Sequence, residues 1–145
     1  MNEEITGFRV RYPEIDRMGI AHHSHYFVWF ELGRTEWMRR RGMTYRQLEE
    51  EQGVFFPLIE ARARFRAPAL YDEELQVITR LESISRLEVR FEYRIVRPEG
   101  GRLLAEGITG HVAADDRGRP RRLPVELYER LHGGGAPSSE ESSRA

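Results

Sequence analysis

The chain has no cysteine and no lysine; all 23 of its basic residues are arginine. Disulfides, thiolate metal sites and cysteine nucleophiles are excluded together. Schiff-base and lysine-base chemistry go with them. Aspartate is scarce as well, with only Asp16, Asp72, Asp115 and Asp116, and the last three sit in turn signals. No run approaches the roughly 20 apolar residues a membrane helix needs. The acidic start, Met1 to Glu4, is not that of a signal peptide. The expectation is a protein without a membrane span, in the cytoplasm. A formal net charge of −1 gives no global pull on nucleic acid, so anion binding has to be local and carried by arginine.

What is present suits one globular domain. The 145 residues are 39% hydrophobic and 32% charged, enough for a core beneath a busy surface. Residues 1–132 show no linker and no repeat. The tail 133–145, rich in Gly, Ser and Glu, has almost nothing to bury and is expected to be disordered.

Residues 5–12 alternate as a strand that Pro13 stops. Over 24–41, Tyr26, Phe27, Phe30, Gly33, Trp37 and Met38 recur at steps of three and four, which predicts a long helix with a wide apolar face. Ser24 is the expected N-cap, Arg39 to Arg41 suit the negative end of the helix dipole, and Gly42 terminates it. Thr44 to Gly53 reads as a short capped helix. Beyond it the period becomes two. Strands are expected over 55–66, 75–81, 87–95 and 103–114, with turns at Pro68 to Glu73, Ser83 to Arg86, Pro98 to Gly101 and Asp115 to Gly118. Pro124 opens a last short helix. Four strands in meander order, with one large apolar helix to cover them, predict an α+β domain in which a curved antiparallel sheet wraps the 24–41 helix.

The densest stretch is Asp16 to Phe30: an acid, a glycine, three histidines and an aromatic helix face within fifteen residues. A strand–loop–helix junction of this kind offers a carboxylate and unpaired helix N–H groups to one small space. That pairing suits attack on a carbonyl carbon whose oxygen must be held as it becomes negative. His22, His23 and His25 also suggest a metal. Adjacent histidines rarely converge on one ion, however, and of the distant histidines only His111 could join them, so no metal is expected. Phe30 and Trp37 are read as core. Tyr26 either walls a substrate pocket or joins them, and Phe56 and Pro57 either line the far end of such a pocket or simply pack their strand. Arg62, Arg64 and Arg66 form a solvated strand face or an ion-pair network between subunits.

The run from Arg11 to Glu31, Asp-x-x-Gly-x-x-x-His-x-x-Tyr at its centre, resembles the hotdog-fold acyl-CoA thioesterases. Arg34 to Trp37, Ala67 to Ala69, Asp72–Glu73 and Pro120 to Pro124 extend the likeness to about residues 6–132. The nearer branch is that of the 4-hydroxybenzoyl-CoA and Tol-Pal-associated thioesterases. The resemblance implies hydrolysis of an acyl-CoA to free acid and CoA, with no cofactor beyond the CoA of the substrate. It implies Asp16 as nucleophile or general base, and His23 contributing its backbone N–H, its side chain, or both. Ser85 and Arg86 match loosely a region that holds CoA. It also implies a homo-oligomer with sheets joined edge to edge, a dimer at least and commonly a tetramer. A non-catalytic acyl-binding module and an enoyl-CoA hydratase of the same fold are the competing expectations.

Overall fold

The computed structural model describes residues 2–133; most of the expected disordered tail lies outside them. The elements are β1 (Glu4–Arg9), a 3-10 turn (Tyr12–Glu14), α1 (Ser24–Arg40), and a short α2 (Tyr45–Gln47) that widens into a π turn (Leu48–Gln52). β2 (Leu58–Phe65), β3 (Glu74–Ile84), β4 (Glu88–Val96), β5 (Leu103–Val112) and α3 (Val125–His132) follow. The five strands form one antiparallel curved sheet around α1, as expected.

The strand order is β1-β3-β4-β5-β2, and this corrects the simple meander. Only β3, β4 and β5 follow one another in space. β1 occupies the free edge of β3, so β2 crosses to the far side and pairs with β5, with Ala61 opposite Thr109 and Phe65 opposite Ala105. β2 is therefore an edge strand. Its apolar face is only partly covered, and a register shift between Leu58 and Glu60 breaks its alternation. Leu58, Ile59 and Phe65 are about half exposed.

Helix α1 lies directly on the sheet. Tyr26, Trp29, Phe30, Trp37 and Met38 are buried on its inner side, and the Phe30 ring stacks on Tyr93 with centroids 4.6 Å apart. Glycine makes this approach possible. A Cβ on Gly33 would stand 2.3 Å from Thr79 Oγ1, and one on Gly107 would stand 2.3 Å from Phe30 Cε2. The helix ends as its sequence predicts: Gly42 takes φ +78, its N–H bonds the Arg39 carbonyl, and the Met43 N–H reaches back to Met38.

A polar chain crosses the core beneath α1. Arg34 donates to the hydroxyls of Tyr45 (3.0 Å) and Tyr93 (3.1 Å). Tyr93 bonds Thr109 (2.6 Å), which bonds His111 Nε2 (2.9 Å). Burial, helped by the Arg34 charge, pushes the His111 pKa down from 6.5 to about 4. The outer sheet face carries ion pairs such as Arg66–Glu106 (2.7 Å), Arg94–Glu3 (2.8 Å), Arg62–Glu60 (3.0 Å) and Arg80–Glu92, so two of the three alternating arginines, Arg62 in β2 and Arg66 just after it, pair within the chain.

Two predictions arise from the core. Gly33→Ala should destabilise the fold by at least about 2 kcal/mol in denaturant unfolding, because the new methyl group overlaps the sheet. His111 stays neutral in the folded state at pH values where the unfolded chain already binds a proton. Stability should therefore fall as pH drops from 6.5 to about 4, by on the order of 3 kcal/mol, and this component should level off below that. His111→Gln should remove that part of the slope.

Candidate active site

The junction between β1 and α1 is a closed loop. Its base is made by Glu14 and His22, where the His22 N–H donates to the Glu14 carbonyl (2.9 Å), and a bridge pairs Ile15 with Ala21. At its tip the chain reverses. Asp16 N–H donates to the Ile20 carbonyl (2.8 Å), and Gly19, at φ +78, donates to the Asp16 carbonyl (3.0 Å). A non-glycine residue would be strained there. The loop is stitched to the connection between β2 and β3 by Ala21 N–H to the Ala69 carbonyl and Tyr71 N–H to the Gly19 carbonyl.

Asp16 sits on this tip, exposed. Its Oδ1 accepts from the Met18 N–H (2.8 Å) and the Ile20 N–H (3.4 Å), so it does cap a turn, the plain role of an aspartate in such a loop. Its Oδ2 has no partner among the described residues. One oxygen fixes the carboxylate and the other faces outward with its lone pairs unused.

The helix begins one residue earlier than its serine suggests. Ser24 is the first helical residue and His23 the cap, already turned at φ −57, ψ −29. The expected serine cap is replaced by His22, whose Nδ1 accepts from the Ser24 N–H (3.3 Å) and lies 2.9 Å from the Ser24 hydroxyl. His25 N–H donates to the His22 carbonyl and Tyr26 N–H to that of His23. The backbone N–H of His23 has no acceptor among the described residues. It stands at the positive end of the α1 dipole. The His23 ring is exposed, 4.1 Å from the His22 ring and 6.4 Å from that of Phe65.

An aromatic wall lies behind. Tyr26 packs on Trp29 (4.7 Å) and Phe65 (4.9 Å), and Trp29 on Phe8 (4.8 Å). Tyr26 is only 3% exposed, so it is core first, touching the surface through Phe65. Burial pushes its hydroxyl pKa up. Beneath the loop is a residue the sequence reading did not single out. Glu14 is 2% exposed and accepts from Arg11 N–H (2.7 Å) and the Trp29 indole (3.0 Å). Burial pushes its carboxyl up, but the Arg11 N–H, the indole and the Arg11 guanidinium together hold it below the usual value. Its sequence signal is an acid inside a run closing on Ile15, directly after a proline. Phe65 was legible only as one residue of an alternating strand.

The other expected site residues lie elsewhere in the chain. Phe56 and Pro57 precede β2, whereas Phe65 ends it, about 25 Å away along an eight-residue strand. Phe56 packs against Tyr45, and its carbonyl is 3.3 Å from His111 Nδ1; the Pro57 carbonyl accepts from the Val112 N–H. Ser85 and Arg86 follow β3, whose start lies beside the Asp16 loop, some 35 Å away along eleven residues. The Ser85 hydroxyl accepts from Leu87 and Glu88 N–H and so builds the turn. Arg86 holds the Leu123 carbonyl at 2.8 Å. One chain thus gathers Asp16, His23 and Tyr26, and leaves Phe56, Pro57, Ser85 and Arg86 apart. His111 is engaged in the core and does not join the other histidines.

Comparison with known proteins agrees with this architecture. Residues 10–131 match the family described as the thioesterase-like superfamily. The acyl-CoA thioester hydrolase YbgC of Escherichia coli is 32% identical over 120 residues, covering 82% of this chain and 88% of its own. Among solved structures, a hypothetical protein from Thermus thermophilus is 42% identical with a TM-score of 0.82, covering 90% of this chain and 95% of that one. A DHNA-CoA thioesterase from Staphylococcus aureus superposes with a TM-score of 0.81 at 29% identity, covering 98% and 89%. With an Asp16 loop and an α1 N-terminus set on a five-stranded hotdog sheet, and a match running from Val10 to Leu131, the chain belongs to the thioesterase-like superfamily.

Proposed function

We propose that this protein hydrolyses an acyl-CoA thioester to a free acid and CoA. The observation that carries the reading is the pairing of an anchored carboxylate with an unused oxygen, Asp16, and a helix whose first N–H, at His23, is uncommitted. The names of the E. coli and S. aureus relatives, both thioester hydrolases acting on CoA substrates, support it. Asp16 either attacks the thioester carbon itself, giving a mixed anhydride that water then opens, or takes a proton from the attacking water. In both routes the carbonyl oxygen becomes negative, and the His23 N–H with the α1 dipole stabilises it. The C–S bond then breaks and CoA leaves as thiolate, which is protonated. The exposed His23 imidazole is available for that proton. A thioester is already activated, so no cofactor is required. We place the reaction in the cytoplasm.

The site is completed by a second copy of the chain. Among the described residues, β2 presents unpaired backbone groups along its outer edge and half-exposed Leu58, Ile59 and Phe65, a surface suited to edge-to-edge pairing. Antiparallel pairing of two β2 strands brings Phe56 and Pro57 of the partner subunit to the Phe65 end, beside Tyr26, where they close an acyl chamber. The CoA contact proposed for Ser85 and Arg86 likewise requires another subunit, consistent with a dimer at least and a tetramer by resemblance.

Asp16→Asn should lower thiol release from the best of a panel of acyl-CoAs by roughly 100-fold or more, with binding retained, because only the charge is removed. Binding without thiol release in the wild type would replace the enzyme by an acyl-CoA-binding module. Ile59→Lys, placing a charge on the β2 edge, should shift sedimentation from dimer or larger to monomer and take activity with it.

A further inference from the structure

We propose that Glu14 is a positioning residue of this site, fixing the Asp16 loop against helix α1. The inference rests on the thioesterase reading for its kinetic consequence and on geometry for the rest. Glu14 grips three segments at once. Its Oε1 accepts from the Arg11 N–H (2.7 Å), which fixes the entry to the loop. Its Oε2 accepts from the Trp29 indole (3.0 Å) and the Arg11 guanidinium (3.3 Å), which ties the loop to the body of α1. Its carbonyl accepts from the His22 N–H (2.9 Å), which fixes the exit. Asp16 lies two residues after Glu14, and His23 directly follows His22. The base of the loop that carries Asp16 is therefore joined to the helix N-terminus through this residue, beside the Ile15–Ala21 bridge.

A carboxylate only 2% exposed, and bonded to an indole about 8 Å along the helix from its start, is more than a solvated turn needs. On the β2 side the site has ring contacts such as His23 to Phe65 at 6.4 Å, and the loop tip has backbone bonds to Ala69 and Tyr71. The side-chain tie between the loop and the body of α1 is on the Glu14 side, and a shift of about 1 Å there costs rate rather than affinity.

The test uses Glu14→Gln, Trp29→Phe and the double variant, with full acyl-CoA kinetics per folded protein and amide hydrogen exchange. Glutamine keeps an acceptor for the Arg11 N–H but turns an N–H toward the indole. We expect kcat to fall about 10- to 100-fold with KM within about 3-fold, and the double variant to be no worse than Glu14→Gln alone, because both changes break one bond. The Met18, Ile20 and His22 amides should exchange at least about 10-fold faster, beyond any change in global stability. Unchanged kcat with a lowered Tm, or multiplicative losses in the double variant, would overturn the proposal. Should Glu14→Gln not fold, Trp29→Phe alone decides it by the same kcat criterion. If the wild type proves inactive on every thioester, the functional reading fails separately. Unchanged protection of the three amides would then still reject Glu14 as the loop's anchor.

Discussion

The close seating of α1 on the sheet is the constraint from which the rest follows. Two positions without a side chain, Gly33 on the helix and Gly107 on β5, let the Phe30 ring stack on Tyr93 and bring the helix axis down onto the strands. With that depth fixed, the N-terminus of α1 emerges beside the β1–α1 loop and the start of β3, so His23 and Asp16 share one rim. The polar chain from Arg34 to His111 lies under the same helix, and its groups are buried because the helix covers them. Packing of this kind is all-or-none: a methyl group added at Gly33 pushes away the element that carries the His23 N–H.

Much of this was legible in the sequence, and the misses have physical causes. The alternation of Leu75 to Ile95 and the three-and-four spacing of Tyr26 to Met38 read correctly because each is a local pattern imposed by one buried face. The place of β2 was not legible. Its partner, β5, lies far along the chain, and nothing within Leu58 to Phe65 distinguishes pairing with β5 from pairing with β3. Ser24 looked like a cap because serine usually is one; instead the His22 ring nitrogen accepts from the Ser24 N–H, which puts serine inside the helix. Ser85 and Arg86 carry the donors a CoA phosphate wants; within one chain the Ser85 hydroxyl also builds a turn and the Arg86 Nε holds the Leu123 carbonyl, local partners that no sequence pattern announces.

Asp16 and Glu14 show how two acids two residues apart part company. Both belong to the stretch whose resemblance was recognised, yet only Asp16 was given a role. An acid is ordinarily expected at the surface, and a buried one needs partners that sequence does not reveal. Glu14 finds them in an indole from α1, the backbone of Arg11 and a guanidinium. Asp16 is instead bonded to its own loop, which leaves an oxygen outward.

The strand order also bears on how the protein is made. During synthesis α1 leaves the ribosome before any of β2 to β5 exists, so its aromatic face has only β1 to lean on. β2 comes next and must wait until β5, roughly fifty residues later, before it has a neighbour. An unpaired strand edge is therefore exposed for about a third of the chain's elongation, from the end of β2 to the end of β5. The interval during which this protein is open to misassembly is set by the same late pairing that leaves β2 at the rim of the finished sheet.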